Sequence, residues 1–216
     1  MISFSALSSR EDPDRTAQVG LAPHRDVDLG DLRTVANLVT LVRTVGAVVT
    51  GVVAVVEARL DLLAVAYGVY WIGDMLDGLV ARRRGEETRF GAVLDIVSDR
   101  ACTSVLCVGV IGHLPETAVA LVPFFLSFMV LDTMLSLAFL AWPLASPNDF
   151  AAVDPMVYRW NWSPPAKAVN TSAVVLLALV GLPWLSLSLV LAVAAVKVWS
   201  GRRVLRLLAP AGEGCG

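Results

Sequence analysis

The chain has 216 residues, 56% of them hydrophobic and 17% charged, with a formal net charge of −2 and a mean hydropathy of +0.70. Soluble domains are about 45–50% apolar even when glycine is counted, so the excess here must face lipid rather than one protein core. The near-neutral balance argues against a nucleic-acid binder, which needs a basic stripe to neutralise phosphates; the odd set Cys102, Cys107 and Cys215, without CxxC spacing, argues against a disulfide framework or a zinc site.

The first 33 residues alternate acids and bases, among them Arg10, Glu11, Asp12, Arg15 and Asp26, and lack the long apolar run of a secretory signal. Residues 1–30 are expected to be polar and flexible, and residues 31–37 to form a helix lying at the membrane surface. A spanning helix needs about 20 mostly apolar residues, and six stretches qualify: 38–57, 62–81, 91–112, 117–142, 168–183 and 184–201. The last two are divided only by Gly181, Leu182 and Pro183. The loop at 143–167 is rich in proline and carries Tyr158, Trp160 and Trp162, which suits aromatic anchoring at an interface. The expected fold is therefore all-α, a polytopic bundle of six transmembrane helices with an N-terminal interfacial helix. One membrane domain covers residues 31–208 and a short tail covers 209–216, with no second soluble domain and no internal repeat.

Basic residues set the orientation. Arg82, Arg83, Arg84 and Arg89 lie in one loop, Arg159 and Lys167 in a second, and Lys197, Arg202, Arg203 and Arg206 near the C-terminus. Of 17 basic residues only Arg59 falls on the opposite side. The positive-inside rule then places both termini and the loop around Arg82 in the cytoplasm.

Two of the predicted spans hold acids in an apolar setting. On the second, Asp74, Asp77, Gly78 and Ala81 share a helical face; on the third, Gly91, Asp95 and Asp99 recur every fourth residue. A short loop joins these helices, so they run antiparallel and the two stripes can meet. Each isolated acid inside a membrane costs at least a few kcal/mol, and repulsion adds to that. Divalent cations offset it. Oxygen ligands without His or Cys select Mg²⁺, Mn²⁺ or Ca²⁺ over zinc, and four carboxylates suffice for two ions, the arrangement suited to displacement at phosphorus. Gly78, Ala81 and Gly91 keep the space between the stripes narrow-walled and open, as a nucleotide diphosphate requires, although small residues also serve close helix packing. Arg82 follows one turn later, either as a diphosphate partner or as an ordinary positive-inside arginine.

The pattern D-x2-D-G-x2-A-R-x8-G-x3-D-x3-D, carried by Asp74, Asp77, Gly78, Ala81, Arg82, Gly91, Asp95 and Asp99, resembles the signature of CDP-alcohol phosphotransferases, and every fixed position matches. The segment from Thr88 to Asp95 is similar to that of bacterial phospholipid-synthesis members. The resemblance implies that Asp74, Asp77 and Asp95 are metal ligands. It further implies that Asp99 shares the second metal and is the general base. Gly78, Arg82 and Thr88 would contact the CDP part of the donor, and the stretch from Asn37 to Thr40 would border the nucleotide. It implies two Mg²⁺ or Mn²⁺ ions, CDP-diacylglycerol as donor, a hydroxyl acceptor, release of CMP, a homodimer and a plasma-membrane location with the site on the cytoplasmic side.

The acceptor side is thinner. Asp132 in the fourth span is open between two roles, orienting a hydroxyl acceptor or pairing with Arg43 or Arg100. Arg43 either snorkels to the surface or projects toward the diphosphate. Lys167, Asn170 and Thr171 begin the fifth span as candidates for acceptor contact or as a plain helix start. The span around Asp132 lacks the basic residues associated with glycerol-phosphate and inositol-phosphate users. Two rival readings are a transferase joining a soluble CDP-alcohol to a lipid hydroxyl, and a cation- or proton-coupled transporter, since intramembrane acids mark ion pathways too.

Overall fold

The computed structural model of the chain describes residues 30–209. Among them the regular secondary structure is all helix, with no strand. The expected flexible segment, apart from Gly30, and the tail beyond Ala209, with Cys215, lie outside the described residues.

Helix α1 runs Val35–Val56. It starts where Thr34 caps it, the Asn37 amide donating to Thr34 Oγ1 at 3.1 Å. Residues 30–34 are not helical, so among the described residues no surface helix precedes the first span. The threonine cap starts the span itself at that point. Helix α2, Leu60–Arg84, ends at Gly85 with φ +64, a left-handed cap that glycine adopts without steric cost. Helix α3, Arg89–His113, is capped by Thr88, whose Oγ1 accepts from the Gly91 amide at 3.0 Å.

A fourth helical run, α4, extends over Pro115–Ala141. It opens into a π turn at Phe128–Asp132, where Thr133 Oγ1 donates to the Phe128 carbonyl five residues back. After a 3-10 helix at Pro147–Ala152 comes the short α5, Pro155–Asn161, with Asp154 accepting from the Met156 and Val157 amides at 3.0 and 3.1 Å. Helix α6 covers residues 164–179, with a second π segment at Ala168–Ala173. Helix α7 is Pro183–Leu208.

All six predicted stretches are helical; the first four keep their expected limits to within about three residues, the fifth is shifted four residues toward the N-terminus, and the last runs seven residues further, to Leu208. Four helices are long and apolar enough to cross a membrane: Val35–Val56, Leu60–Arg84, Pro115–Ala141 and Pro183–Leu208. The protein is a multi-pass membrane protein on that count. The remaining two predicted spans are α3, with Asp95, Asp99 and Arg100 along it, and the shorter α6. Val42, Val56, Leu126, Met134, Trp184 and Leu205 stand exposed on the outer faces, an apolar surface of the kind that lipid covers.

Helix α1 packs along α2 and α3, and α4, α6 and α7 pack together as a second group, with α3 touching α4. Between the groups and the proline-rich loop lies an aromatic core. Trp142 meets Phe150 edge-on at 5.4 Å, and Phe150 meets Trp162 at 5.0 Å. Of the loop's expected interfacial aromatics, Trp160 is exposed and Trp162 is buried in this core. Cys102 and Cys107 are buried free thiols, as their apolar surroundings suggested.

Asp154 ties the loop to α7, since beyond its two capping bonds it pairs with Arg203. Asp154 is buried and Arg203 half exposed. Asp154→Ala is expected to destabilise the fold by about 1–2 kcal/mol, and Arg203→Ala by less. Thermal unfolding of the two variants in detergent checks the order.

Candidate active site

Arg43 is the centre of the site. It lies on the face of α1 that also carries Asn37, Thr40 and Ala47, all buried toward the neighbouring helices. Its side chain enters the space between α2 and α3 with 3% of the residue exposed. Nε donates to Asp77 Oδ2 at 2.7 Å. Nη2 donates to Asp95 Oδ1 and lies 3.2 Å from Asp74 Oδ1 and 3.5 Å from Asp99 Oδ1. One guanidinium therefore touches all four predicted acids. The close approach depends on Gly73: a Cβ there would sit 2.7 Å from Arg43 Cδ and nearer still to its Cβ. Tyr70 covers the guanidinium, its ring centre 5.6 Å from Cζ.

The acids divide into two kinds. Asp77 is sealed, its side chain 7% exposed, and its Oδ2 also accepts from Thr40 Oγ1 at 2.8 Å. Asp74, Asp95 and Asp99 form the other set, with carboxylate oxygens all within 4.8 Å of one another. Asp74 and Asp95 are open, at 43% and 44% side-chain exposure. Asp99 Oδ1 is buried and accepts no hydrogen bond from the protein. An all-oxygen set of this kind, with an unsatisfied lone-pair site and an open side, fits Mg²⁺ or Mn²⁺. Four carboxylates against one guanidinium also leave an excess of negative charge that a divalent ion would offset.

The predicted nucleotide-side residues gather beside this cluster at the ends of α1, α2 and α3. A Cβ at Gly91 would lie 2.9 Å from Asn37 Oδ1 and 3.2 Å from Thr88 Oγ1, and one at Gly78 would lie 3.2 Å from Arg82 Nη1. Gly91, Asn37 and Thr88 thus meet, and the Arg82 guanidinium folds back over Gly78. Thr40 sits at Asp77 and Ala81 is half-buried.

The acceptor candidates scatter. Arg43 belongs to the carboxylates rather than to a separate acceptor pocket. Asp132 Oδ2 accepts from Arg100 Nη2 at 2.5 Å, and its Oδ1 accepts from Lys197, so its partners are Arg100 and Lys197. The sequence had no means of singling out Lys197, 65 positions away from Asp132. Lys167 Nζ donates to Asn148 Oδ1 at 2.8 Å, Asn170 Nδ2 to the Trp160 carbonyl at 3.4 Å, and Thr171 Oγ1 to the Lys167 carbonyl. Asn170 and Lys197 share a small cavity with Ser127, whose buried hydroxyl has no partner.

Glu86 is a further residue that the sequence did not reveal. Its Oε2 accepts from the Val35 and Ala36 amides at 3.0 and 3.4 Å, so the loop between α2 and α3 caps the start of α1. Arg84 Nε donates to its Oε1 at 2.6 Å, and that bond holds the carboxyl below the ordinary glutamate range. A carboxyl lowered in the folded state stabilises it at neutral pH, and the contribution is lost as pH falls through the native value. Glu86→Gln is therefore expected to lower the thermal midpoint at neutral pH, with the difference from the parent closing in acid below the ordinary glutamate range.

The family model described as CDP-alcohol phosphatidyltransferase matches residues 33–200, a range holding Arg43, the four aspartates and Lys197. A phosphatidylinositol phosphate synthase of Mycolicibacterium smegmatis is 42% identical over 64 residues, 30% of this chain and 29% of that relative. One from Mycobacteroides abscessus is 37% identical over 75 residues, 35% of this chain and 34% of its own. A CDP-diacylglycerol–inositol 3-phosphatidyltransferase of Candida albicans is 52% identical over 42 residues, 19% of this chain and 18% of the relative. The chain aligns with about a third or less of the length of each of these curated relatives. No solved structure matches it.

Proposed function

The chain belongs to the CDP-alcohol phosphatidyltransferase family, and from that premise we propose that it transfers a phosphatidyl group from CDP-diacylglycerol to a hydroxyl acceptor and releases CMP. The observation that carries the reading is the meeting of Asp74, Asp95 and Asp99 oxygens, from two antiparallel helices, within 4.8 Å.

Asp74, Asp95 and Asp99 would hold divalent ions, Mg²⁺ or Mn²⁺, with Asp77 completing the set through its free oxygen. Bound there, two such ions supply charge stabilisation for the diphosphate and for the departing CMP. The rest is work for side chains. Asn37, Thr88 and Gly91 shape a seat for the nucleotide at the ends of α1 and α3, and Thr40 holds Asp77 in place beside it. Arg82, over Gly78, offers an exposed cation to the diphosphate oxygens, and Ala81 leaves them room. The acceptor oxygen bonds to the lipid-side phosphorus, the bridging oxygen leaves with CMP, and the acceptor proton passes to Asp99. Asp99 suits a general base because its Oδ1 accepts no hydrogen bond from the protein. The exposed sides of Asp74 and Asp95 leave an approach for the head group while acyl chains stay in lipid.

The relatives' names make an inositol-type polyol the first acceptor to test. Four of the cations on this side of the bundle have carboxylate or amide partners: Arg100 and Lys197 on Asp132, Arg203 on Asp154, Lys167 on Asn148. Asp132 would then act indirectly, by setting Lys197 and Arg100. The proposal includes a membrane domain over residues 31–208, a homodimer, and a plasma-membrane location with the site on the cytoplasmic side.

Purified protein given CDP-diacylglycerol, Mg²⁺ or Mn²⁺ and either inositol, inositol phosphate or glycerol phosphate should release CMP only when both metal and a fitting acceptor are present. Asp99→Asn should lower kcat by roughly 10²–10⁴-fold without lowering the thermal midpoint. CMP release unchanged in that variant removes the base assignment. Turnover of a soluble CDP-alcohol, or ion flux in liposomes without nucleotide turnover, would replace the reading altogether.

A further inference from the structure

Arg43 does more than pair with an acid. We propose that it is a resident counter-ion: it holds the four aspartates at one point in the protein without divalent ions, and it competes with those ions for Asp74, Asp95 and Asp99. The competition half of this claim rests on the metal reading above.

Three features of the guanidinium separate this role from an ordinary buried ion pair. The first is its reach. Nε and Nη2 contact acids from both α2 and α3, so the group bridges two helices that otherwise would repel through facing carboxylates. The second is that its own hydrogen bonding is incomplete. Arg43 Nη1 is buried with no acceptor, and leaving a buried donor unmade is costly. A side chain placed to satisfy its donors would not be left so; this one sits where the negative charge is greatest. The third is the space cleared for it, since Gly73 admits the side chain where any Cβ would strike it.

The contacts also divide along the same line as the acids. Nε, with Thr40 Oγ1, grips Asp77 Oδ2, which lies outside the group of oxygens close enough to share an ion. Nη2 touches the three acids that make up that group. An incoming divalent ion needs the three carboxylates that Nη2 touches, and two cations crowd them only against strong repulsion. The ion therefore displaces Nη2 while the hold on Asp77 persists. Arg43 is a positioning residue in this scheme, acting through the aspartates and not on the reacting phosphorus.

Removing the positive charge should tighten ion binding and weaken the ion-free protein, a pair of opposite effects that loss of packing alone does not give. Full-length protein in detergent is titrated with Mn²⁺, free ion being read by electron paramagnetic resonance, and thermal unfolding is followed with and without Mn²⁺. Arg43→Gln is expected to bind Mn²⁺ about tenfold more tightly, to unfold at lower temperature without the ion, and to gain more from it than the parent does. Arg43→Lys, which keeps the charge, should bind Mn²⁺ within a few-fold of the parent. Equal or weaker binding by Arg43→Gln overturns the proposal, as does equal tightening in both variants. If Arg43→Gln can be recovered only when Mn²⁺ is present throughout purification, the counter-ion role stands. Loss of both variants with and without Mn²⁺ refutes it, because the arginine is then a packing element that no ion replaces. A parent protein that takes up no Mn²⁺ removes the metal reading as well, whereas a parent that binds beside an unchanged Arg43→Gln removes this inference alone.

Discussion

Four carboxylates in a membrane-embedded bundle are held together by a guanidinium that belongs to none of their own helices. Helices α2 and α3 carry the acids, and their shared loop brings the two stripes into the same region, yet like charges facing each other would drive those helices apart. Helix α1 supplies the missing attraction. Arg43 enters from its buried face and reaches acids on both partners, and α1 packs along both helices. The Gly73 clearance admits that cation, and the Thr40 bond to Asp77 helps hold its partner in place. The site is thus a three-helix construction, although its acids come from two.

A second ionic centre organises the other half. Asp132 lies at the end of a π turn in α4, where the widened helix sets its carboxylate between Arg100 of α3 and Lys197 of α7. Arg100 stacks over Phe128 with Cζ 3.6 Å from the ring centre, and Thr133 accepts from its Nε. Since Arg100 follows Asp99 directly in the chain, the same turn of α3 serves both centres. The two helix groups are linked by charge at this point and by the Trp142–Phe150–Trp162 aromatic core. Buried ion pairs contribute specificity of arrangement more readily than net stability, and here they join faces of three helices, α3, α4 and α7.

Much of this was legible from residue order alone, for local reasons. The lengths of the apolar runs, the Gly181–Pro183 break and the i, i+3, i+4 spacing of the acids are all properties of neighbours along one chain segment. They determined where the helices lie, the two acidic faces, the antiparallel pairing of α2 with α3, and the family. The sequence left Asp132 open between orienting a hydroxyl acceptor and pairing with Arg43 or Arg100; in the structure it pairs with Arg100 and Lys197.

Tertiary structure decided everything that depends on which face of a distant helix turns inward. Arg43 reads equally well as a snorkelling arginine or a diphosphate partner until α1 is packed on α2 and α3, when burial leaves it no partner except the acids. Lys197 reads as part of the basic C-terminal end until α7 lies against α4 and places it on Asp132. Glu86 is an ordinary loop acid until the α2–α3 connection folds back onto the first amides of α1. Trp162 passes for an interfacial anchor until Phe150 closes over it. A charged or aromatic side chain has the same local signature whether it meets water, lipid head groups or an opposite charge, and only the packing of helices far apart in the chain supplies that partner.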